Sequence, residues 1–308
     1  PLFWIIMYDE NWFSSADVAV RELAIWVAIP CAICAAVPAI FIKSESTVNE
    51  DYEPLNSANI GNSLVKIYES FVAAFKIKEF RKLCGATFLI FNAFNTVAAL
   101  TFFVIVYKLF GGDAGESGIW VSMFGCLGAL GTTFIVIPTV AWMSKKLGKK
   151  KAFMLAQSIS LVGYIMLYFL FIPGKPWMYI FALPFFSFGI GSLFTIMMSM
   201  TADVIDIDEM NTGKRREGIF GAIYWWMVKV GYGIAGALSG VIITVVGFNA
   251  DLPAMDQQSA VDGLHAFFCF FPMGGTILAM LIMRNYDITE KKANEIRMAL
   301  QKRKKIKL

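Results

Sequence analysis

The chain has 308 residues, of which 57% are hydrophobic, 15% aromatic and only 16% charged, and its mean hydropathy is +0.62. About a quarter of the residues of a soluble domain are charged, so this composition excludes disorder, argues against a soluble enzyme and favours a membrane protein. The net charge of +4 gains meaning only once the charges are placed.

The chain opens on Pro1, with no charged region leading into a short apolar run and cleavage site, so it reads as processed or as a piece of something longer. A bilayer core needs about 20 apolar residues per helix. Seven stretches qualify: Leu23–Ile42, Leu83–Phe110, Ile119–Met143, Ala152–Ile172, Met178–Thr201, Ile219–Phe248 and Leu264–Arg284. Gly is frequent in them, as in membrane helices, and no stretch alternates with period two as a barrel strand would. Cys31, Cys34, Cys126 and Cys269 lie inside apolar runs and Cys84 at the edge of one, and all are expected to be small buried residues.

The connector after the first span differs from the rest. Residues 43–82 begin Lys43-Ser44-Glu45-Ser46 and pass through Asn/Ser-rich sequence. Leu64, Ile67, Phe71, Ala74, Phe75 and Lys78 then recur at helical spacing. This predicts an amphipathic helix on the inner membrane surface, the alternative being a solvated connector with a helical end. The expected organisation is one span in 1–42, a linker in 43–82, a six-helix bundle in 83–285 and a basic tail in 286–308, with the first span outside the bundle core. Six helices is half a transporter built from repeats.

Basic residues set the orientation. Segments 43–82, 145–151, 214–216 and 284–308 hold 23 of the 27 Lys and Arg, whereas the other side holds Arg21, Lys108 and Lys175. The basic side is therefore cytoplasmic, with the N-terminus of this chain outside and its C-terminus inside. The outer loops are acidic, with Asp9, Glu10, Asp17, Asp113, Glu116, Asp251, Asp256 and Asp262.

Lys229 is the remaining cation and lies near the middle of the sixth span. On insertion scales a lysine there costs about 2.5–3.5 kcal/mol, and intramembrane charges are functional by default. It is expected to face a wet cavity or a carboxylate, and no Asp or Glu is expected inside any of the seven spans. Tyr224, Trp225 and Trp226 precede it, suiting a sugar ring or another amphipathic ligand, although such aromatics often only pack. Gly233, Gly236 and Gly240 follow and would let another helix approach. Gly231 to Gly236 matches a dinucleotide fingerprint in letters only, because that motif needs a strand before it.

The loop after the fifth span is dense in charge: Asp203, Asp206, Asp208, Glu209, Lys214, Arg215, Arg216 and Glu217. Interleaved signs at the inner mouth suit ion pairs that break and form during gating. An ordinary solvated loop is the plainer alternative. Asp203 is expected to pair with Arg215 or with a cation of the tight loop Lys145–Lys151. Asn92 and Asn95 line the path or bond to a neighbouring helix. His265, the only histidine, is a weak candidate for metal or proton chemistry. No nucleophile set, zinc spacing or phosphate loop is present, so no enzyme and no cofactor is expected.

The runs Ala202-Asp203-Val204-Ile205-Asp206-Ile207-Asp208-Glu209, Thr212-Gly213-Lys214-Arg215-Arg216-Glu217-Gly218 and Val228-Lys229, with the basic loop around Gly148, resemble the glycoside–pentoside–hexuronide:cation symporter family of the major facilitator superfamily. The resemblance implies an all-α membrane protein with helices 6 to 12 of a twelve-helix, two-bundle fold. Pro1–Phe13 would then end helix 5 and the loop after it. It further implies secondary transport of a sugar or glycoside driven by Na⁺ or H⁺, with most of the cation site on helices outside this chain. Lys229, Tyr224, Trp225 and Val228 would then line the sugar pocket with Phe194, and Asp203, Asp206, Arg215 and Glu217 would form the inner gate. At 225 and 194 the sequence departs from the family's melibiose permease, which has a small polar residue and a Trp there. The partners implied are a small-molecule sugar and the lipid bilayer of the cell membrane, with no nucleic acid, and the full-length protein is expected to be a monomer. Two alternatives stay open: a carrier of a lipid-like or other organic anion, and a seven-helix receptor or retinal protein. The second is awkward, because a retinal lysine belongs in the last span.

Overall fold

The computed structural model describes residue 13 and residues 16–41, 60–250 and 252–306. The stretch 1–12 with Asp9 and Glu10, the first part of the linker, 43–59, and Asp251 lie outside the described residues. Among the described residues seven helical stretches are long and apolar enough to cross a membrane, one for each of the seven expected from the sequence. No strand occurs among the described residues.

The chain divides into two compact units, residues 1–66 and 67–308. In the first, α1 (Ala16–Phe41) carries Pro30 and Pro38 within the helix. Its large apolar side chains, Trp26, Ile33 and Ile40 among them, are exposed. Cys31 and Cys34 are exposed on it as well, against expectation, while Cys126 is half-buried and Cys84 and Cys269 are buried. An apolar run shows only that a helix avoids water, and lipid serves that purpose as well as a core does.

The division falls inside α2 (Ile60–Lys76). Phe71 and Phe75 near its C-terminal end pack onto the core of the second unit, with Phe75 edge-on to Phe80 at 6.1 Å. Ile67 and Tyr68, one turn earlier, remain exposed.

The second unit is a helical bundle. α3 (Lys78–Phe103) runs on into a π-helical turn, Val104–Leu109. α4 (Ala114–Gly131) passes through the π turn Thr132–Val136 into α5 (Ile137–Leu147). Gly148 alone separates α5 from α6 (Lys149–Leu170). A 3₁₀ turn, Pro176–Ala182, leads into α7 (Leu183–Ser192), then the π turn Leu193–Met197 and α8 (Met198–Thr212). α9 (Glu217–Val245), α10 (Gln258–Arg284) and the basic α11 (Glu290–Ile306) complete it. α3 is the central helix, packed along both α9 and α10.

Membrane helices associate by close packing and not by the hydrophobic effect, so small residues mark the contacts. On α9 that residue is Gly231, where an added Cβ would lie 3.2 Å from the Phe88 carbonyl oxygen of α3. Gly275 of α10 sits equally close to Leu89 and Ala93 of α3. Asn92 of α3 donates a hydrogen bond to the Gly231 carbonyl at 3.2 Å and so fixes the register of α9, whereas Asn95 donates to Phe91 of its own helix. The expected stripe Gly233, Gly236 and Gly240 meets nothing within 4 Å. The glycine that packs is on the opposite face.

The two ends of the bundle are tied by polar contacts. At one, Lys108 pairs with Asp262 at 2.5 Å and the Tyr107 hydroxyl donates to the Ala250 carbonyl. At the basic end Lys150 donates to the Tyr286 carbonyl at 3.0 Å, and Lys82 donates to that of Asn285.

α6 and α7 meet backbone to backbone at Gly163. A Cβ on Gly163 would fall 2.2 Å from the Phe186 nitrogen, a clash that only separation of the two helices relieves. Gly163→Ala is expected to destabilise the detergent-solubilised protein by about 1–3 kcal/mol. Gly128→Ala, where nothing lies within 4 Å, should leave the melting temperature unchanged or raise it, since Ala is the better helix former. Thermal unfolding of both variants checks this.

Candidate functional site

The fifth helical stretch runs to Thr212, beyond the expected end at Thr201. Asp203 and Asp206 stand on a helix end as their spacing implies, and Asp208 and Glu209, expected in the loop, stand on the last turns of the same helix, α8. The helix persists because every one of these carboxylates has a cation. Asp203, 3% exposed, pairs with Lys149 at 2.5 Å and with Arg297 of α11 at 3.3 Å. Arg297 also lies 3.9 Å from Asp206. Asp208, equally buried, receives both Nε (2.8 Å) and Nη2 (2.5 Å) of Arg216, the bidentate geometry that suits a guanidinium best.

Gly213 makes the rest of the network. Its φ of 72° ends α8 in the left-handed conformation, with its N–H bonded to the Glu209 carbonyl. Gly adopts this conformation without steric cost. The chain turns back, and Arg215 reaches Asp206 at 3.1 Å and Glu209 at 2.6 Å, with Glu217 on its Nε at 2.6 Å. Hydrogen bonds to Glu209 and then Glu217 push the Arg215 guanidinium further above its ordinary range, and Asp208 does the same for Arg216. Of the two partners foreseen for Asp203, the structure selects the loop lysine, and Arg297 joins from a helix not considered. Arg215 serves the other carboxylates. Nearby, burial pushes the Tyr286 phenol up, with the charges of Asp203 and Glu79 adding to the effect.

The expected pocket residues divide among three places. Tyr224 and Val228 are buried, on the same side of α9 as Gly231, which packs on α3. They do not join Lys229 in one open pocket. Residues four apart share a helix face while the next residue in sequence is turned by about 100°, so Tyr224 and Val228 bury where Trp225 and Lys229 do not. Lys229 is exposed on the opposite face, as are Trp226 and Gly233. Among the described residues it makes no ion pair. It is the thirteenth of the 29 residues of α9, so its charge is carried to mid-helix. Trp225, 44% exposed, stands edge-on to Tyr224 at 5.9 Å.

Phe194 sits on the wall of a cavity that the sequence reading did not anticipate. It measures about 580 Å³ and opens between α3, α4 and α7, with Phe94, Phe124 and Phe186 around it. Phe194 meets Phe91 of α3 edge-on at 5.7 Å, and the Asn92–Gly231 bond sets α9 beside the same turn of α3. Phe194 and Lys229 therefore stand at one depth on different neighbours of α3. The available sequence signal was the row Gly125, Gly128, Ala129, Thr132 and Thr133, spaced along one face of α4.

His265 is buried and stacked on Tyr168 with ring centroids 5.2 Å apart. No group of His, Cys, Asp and Glu that could hold a metal occurs among the described residues.

Residues 19–290 match the model of a family described as MFS/sugar transport protein. The chain belongs to that family. It is 27% identical over 225 residues to the glucuronide carrier protein homolog of Escherichia coli, an alignment covering 73% of this chain and 47% of that protein. A putative sulfoquinovose importer of the same organism is 26% identical, over 73% of this chain and 46% of the relative. The isoprimeverose transporter of Lactiplantibacillus pentosus is 25% identical over 53% and 33%. This chain thus spans about half the length, or less, of the relatives it matches. Membership of a transporter family, with seven apolar helices, makes it a multi-pass membrane protein and sets aside the receptor reading.

The network predicts an order of sensitivity. Asp208→Ala leaves Arg216 without its carboxylate, and breaking a buried pair costs about 3–5 kcal/mol. Glu217→Ala removes a carboxylate whose side chain is 58% exposed, and such pairs contribute about 0–1 kcal/mol. Thermal unfolding should show a large drop for the first and a small one for the second.

Proposed function

We propose that this chain is the C-terminal part of a cation-coupled secondary transporter that takes up a sugar or glycoside by alternating access. It would supply helices 6 to 12 of twelve, with Na⁺ or H⁺ driving uptake from sites mostly on helices outside this chain. The observation that carries the reading is Lys229, a cation at mid-helix on an open face and without a carboxylate among the described residues. Facing lipid it would cost several kcal/mol, so its place is a polar cavity shared with other helices. Trp225 supplies an aromatic wall beside it, and the names of the relatives point to sugars and glycosides as cargo. The same lysine favours a second reading, in which the substrate is an organic anion.

The paired carboxylates of α8 act as the inner gate. Closed, Asp203 holds the α6 N-terminus and α11 together through Lys149 and Arg297. Opening separates at least one of these pairs, so the network biases the equilibrium between inward- and outward-open states. The N-terminus of this chain lies outside the cell membrane and the basic C-terminus inside, with α2 along the inner surface. The full-length protein works as a monomer.

Lys229→Ala is expected to abolish concentrative uptake while the protein still inserts and folds. Lys229→Arg should rescue poorly, since the guanidinium is larger and holds its charge more rigidly. The measurement is uptake by full-length protein across labelled neutral glycosides and hexuronides, with and without Na⁺. Normal transport by Lys229→Ala would refute the site. Asp203→Lys should alter the transport rate, and unchanged kinetics would refute the gate.

A further inference from the structure

We infer that the cavity between α3, α4 and α7 receives the apolar aglycone of a glycoside, the sugar ring itself binding elsewhere. The inference rests on the transport reading above and names the class of substrate for it.

The walls decide the chemistry. Phe94, Phe124, Phe186 and Phe194 face the space, and no charged residue lines it. Three hydroxyls on its wall spend their protons within their own helix segments: Thr101 donates to the Val97 carbonyl at 2.7 Å, Thr132 to Gly128 at 2.7 Å and Thr133 to Ala129 at 2.9 Å. With Ser187 they are the only side-chain polar groups of the lining, so a sugar here would bring more hydroxyls than the wall can pair, and each unpaired one is penalised. A phenyl ring or short alkyl chain loses nothing and gains aromatic contact. The volume of about 580 Å³ lies within the range of small-molecule sites.

The cavity is open because of what α4 lacks. A Cβ on Gly125 or Gly128 would meet nothing within 4 Å, so the α4 backbone itself forms the wall. Polar recognition has a separate place, on α9. Lys229 is level with α3 near Asn92, while the cavity starts at that level with Phe194 and extends along α3 from Phe94 to Phe102. A ligand with a polar head and an apolar group set off from it matches both features, and a bare sugar matches only the first.

The test uses cells producing the full-length protein and three sets of probes: methyl, phenyl and hexyl β-glucosides, the matching β-glucuronides and the matching β-xylosides. Uptake of each labelled methyl glycoside is measured with its phenyl and hexyl counterparts as competitors. For a sugar that is taken up, the phenyl glycoside should compete at least about tenfold better than the methyl one, in line with burial of a ring's apolar surface. Gly128→Leu fills the cavity from a position with room for the side chain, and it should cut that ratio about fivefold or more. Equal competition by methyl and phenyl forms, or a ratio that survives Gly128→Leu, overturns the inference.

A second readout does not depend on transport. Ala129→Cys, read at that residue by mass spectrometry, should be alkylated by N-ethylmaleimide and protected by phenyl but not by methyl glycosides. If the cysteine is unreactive without any ligand, protein already fills the space and the inference fails. If no methyl glycoside is taken up, the transport reading fails, and protection of Ala129→Cys alone decides the cavity.

Discussion

The bundle hangs on one short stretch of α3, residues 88–93, where two other helices touch backbone. Gly231 brings α9 against the Phe88 carbonyl, and Gly275 brings α10 against Leu89 and Ala93. In lipid, apolar side chains gain little by meeting one another, so this kind of close contact and the Asn92 hydrogen bond must hold helices in register. Everything of functional interest takes its depth from here. The turn of α3 that receives Gly231 also meets Phe194 through Phe91, so Lys229 and the cavity wall are referred to one ruler.

Charge in this protein is handled in two opposite ways. At the basic end, four carboxylates of α8 are matched by Lys149, Arg215, Arg216 and Arg297 drawn from three other segments. Burial there is tolerable because attraction and hydrogen bonds replace water together. At mid-helix, Lys229 stands with no counter-charge among the described residues. The first arrangement is complete within those residues, and the second is not.

The seven spans were legible because an apolar run of sufficient length has few other uses. The depth of Lys229, the tight turn at Gly148 and the pairing of Asp203 with the loop 145–151 were equally open to sequence reasoning. The end of the fifth span was not. The helix end was readable at Asp203 and Asp206, but Asp208 and Glu209 look like loop until the cations of the cluster are known, and those cations lie from 6 to 94 residues away from the carboxylates they meet. The face that α9 buries was also hidden, since a helix apolar all round gives no moment to read. Gly231 and Gly233 are two residues apart, yet only one packs. The cavity was missed for a further reason: it is made by three helices and by missing side chains, and the row of small residues on α4 marks only one of its walls. The exposure of Cys31 and Cys34 belongs to the same class, because hydropathy does not distinguish lipid from protein.

Two of the three π turns, Thr132–Val136 and Leu193–Met197, border the cavity. A π turn holds one residue more than the α ladder needs, so the segments on its two sides are out of phase by about 100°. Such slack travels along a helix by exchanging one hydrogen bond at a time, swivelling the residues it passes without lengthening or breaking the rod. At the cavity wall, then, the backbone following α4 and α7 holds in each case one residue of slack, and moving it would change which side chains face the void.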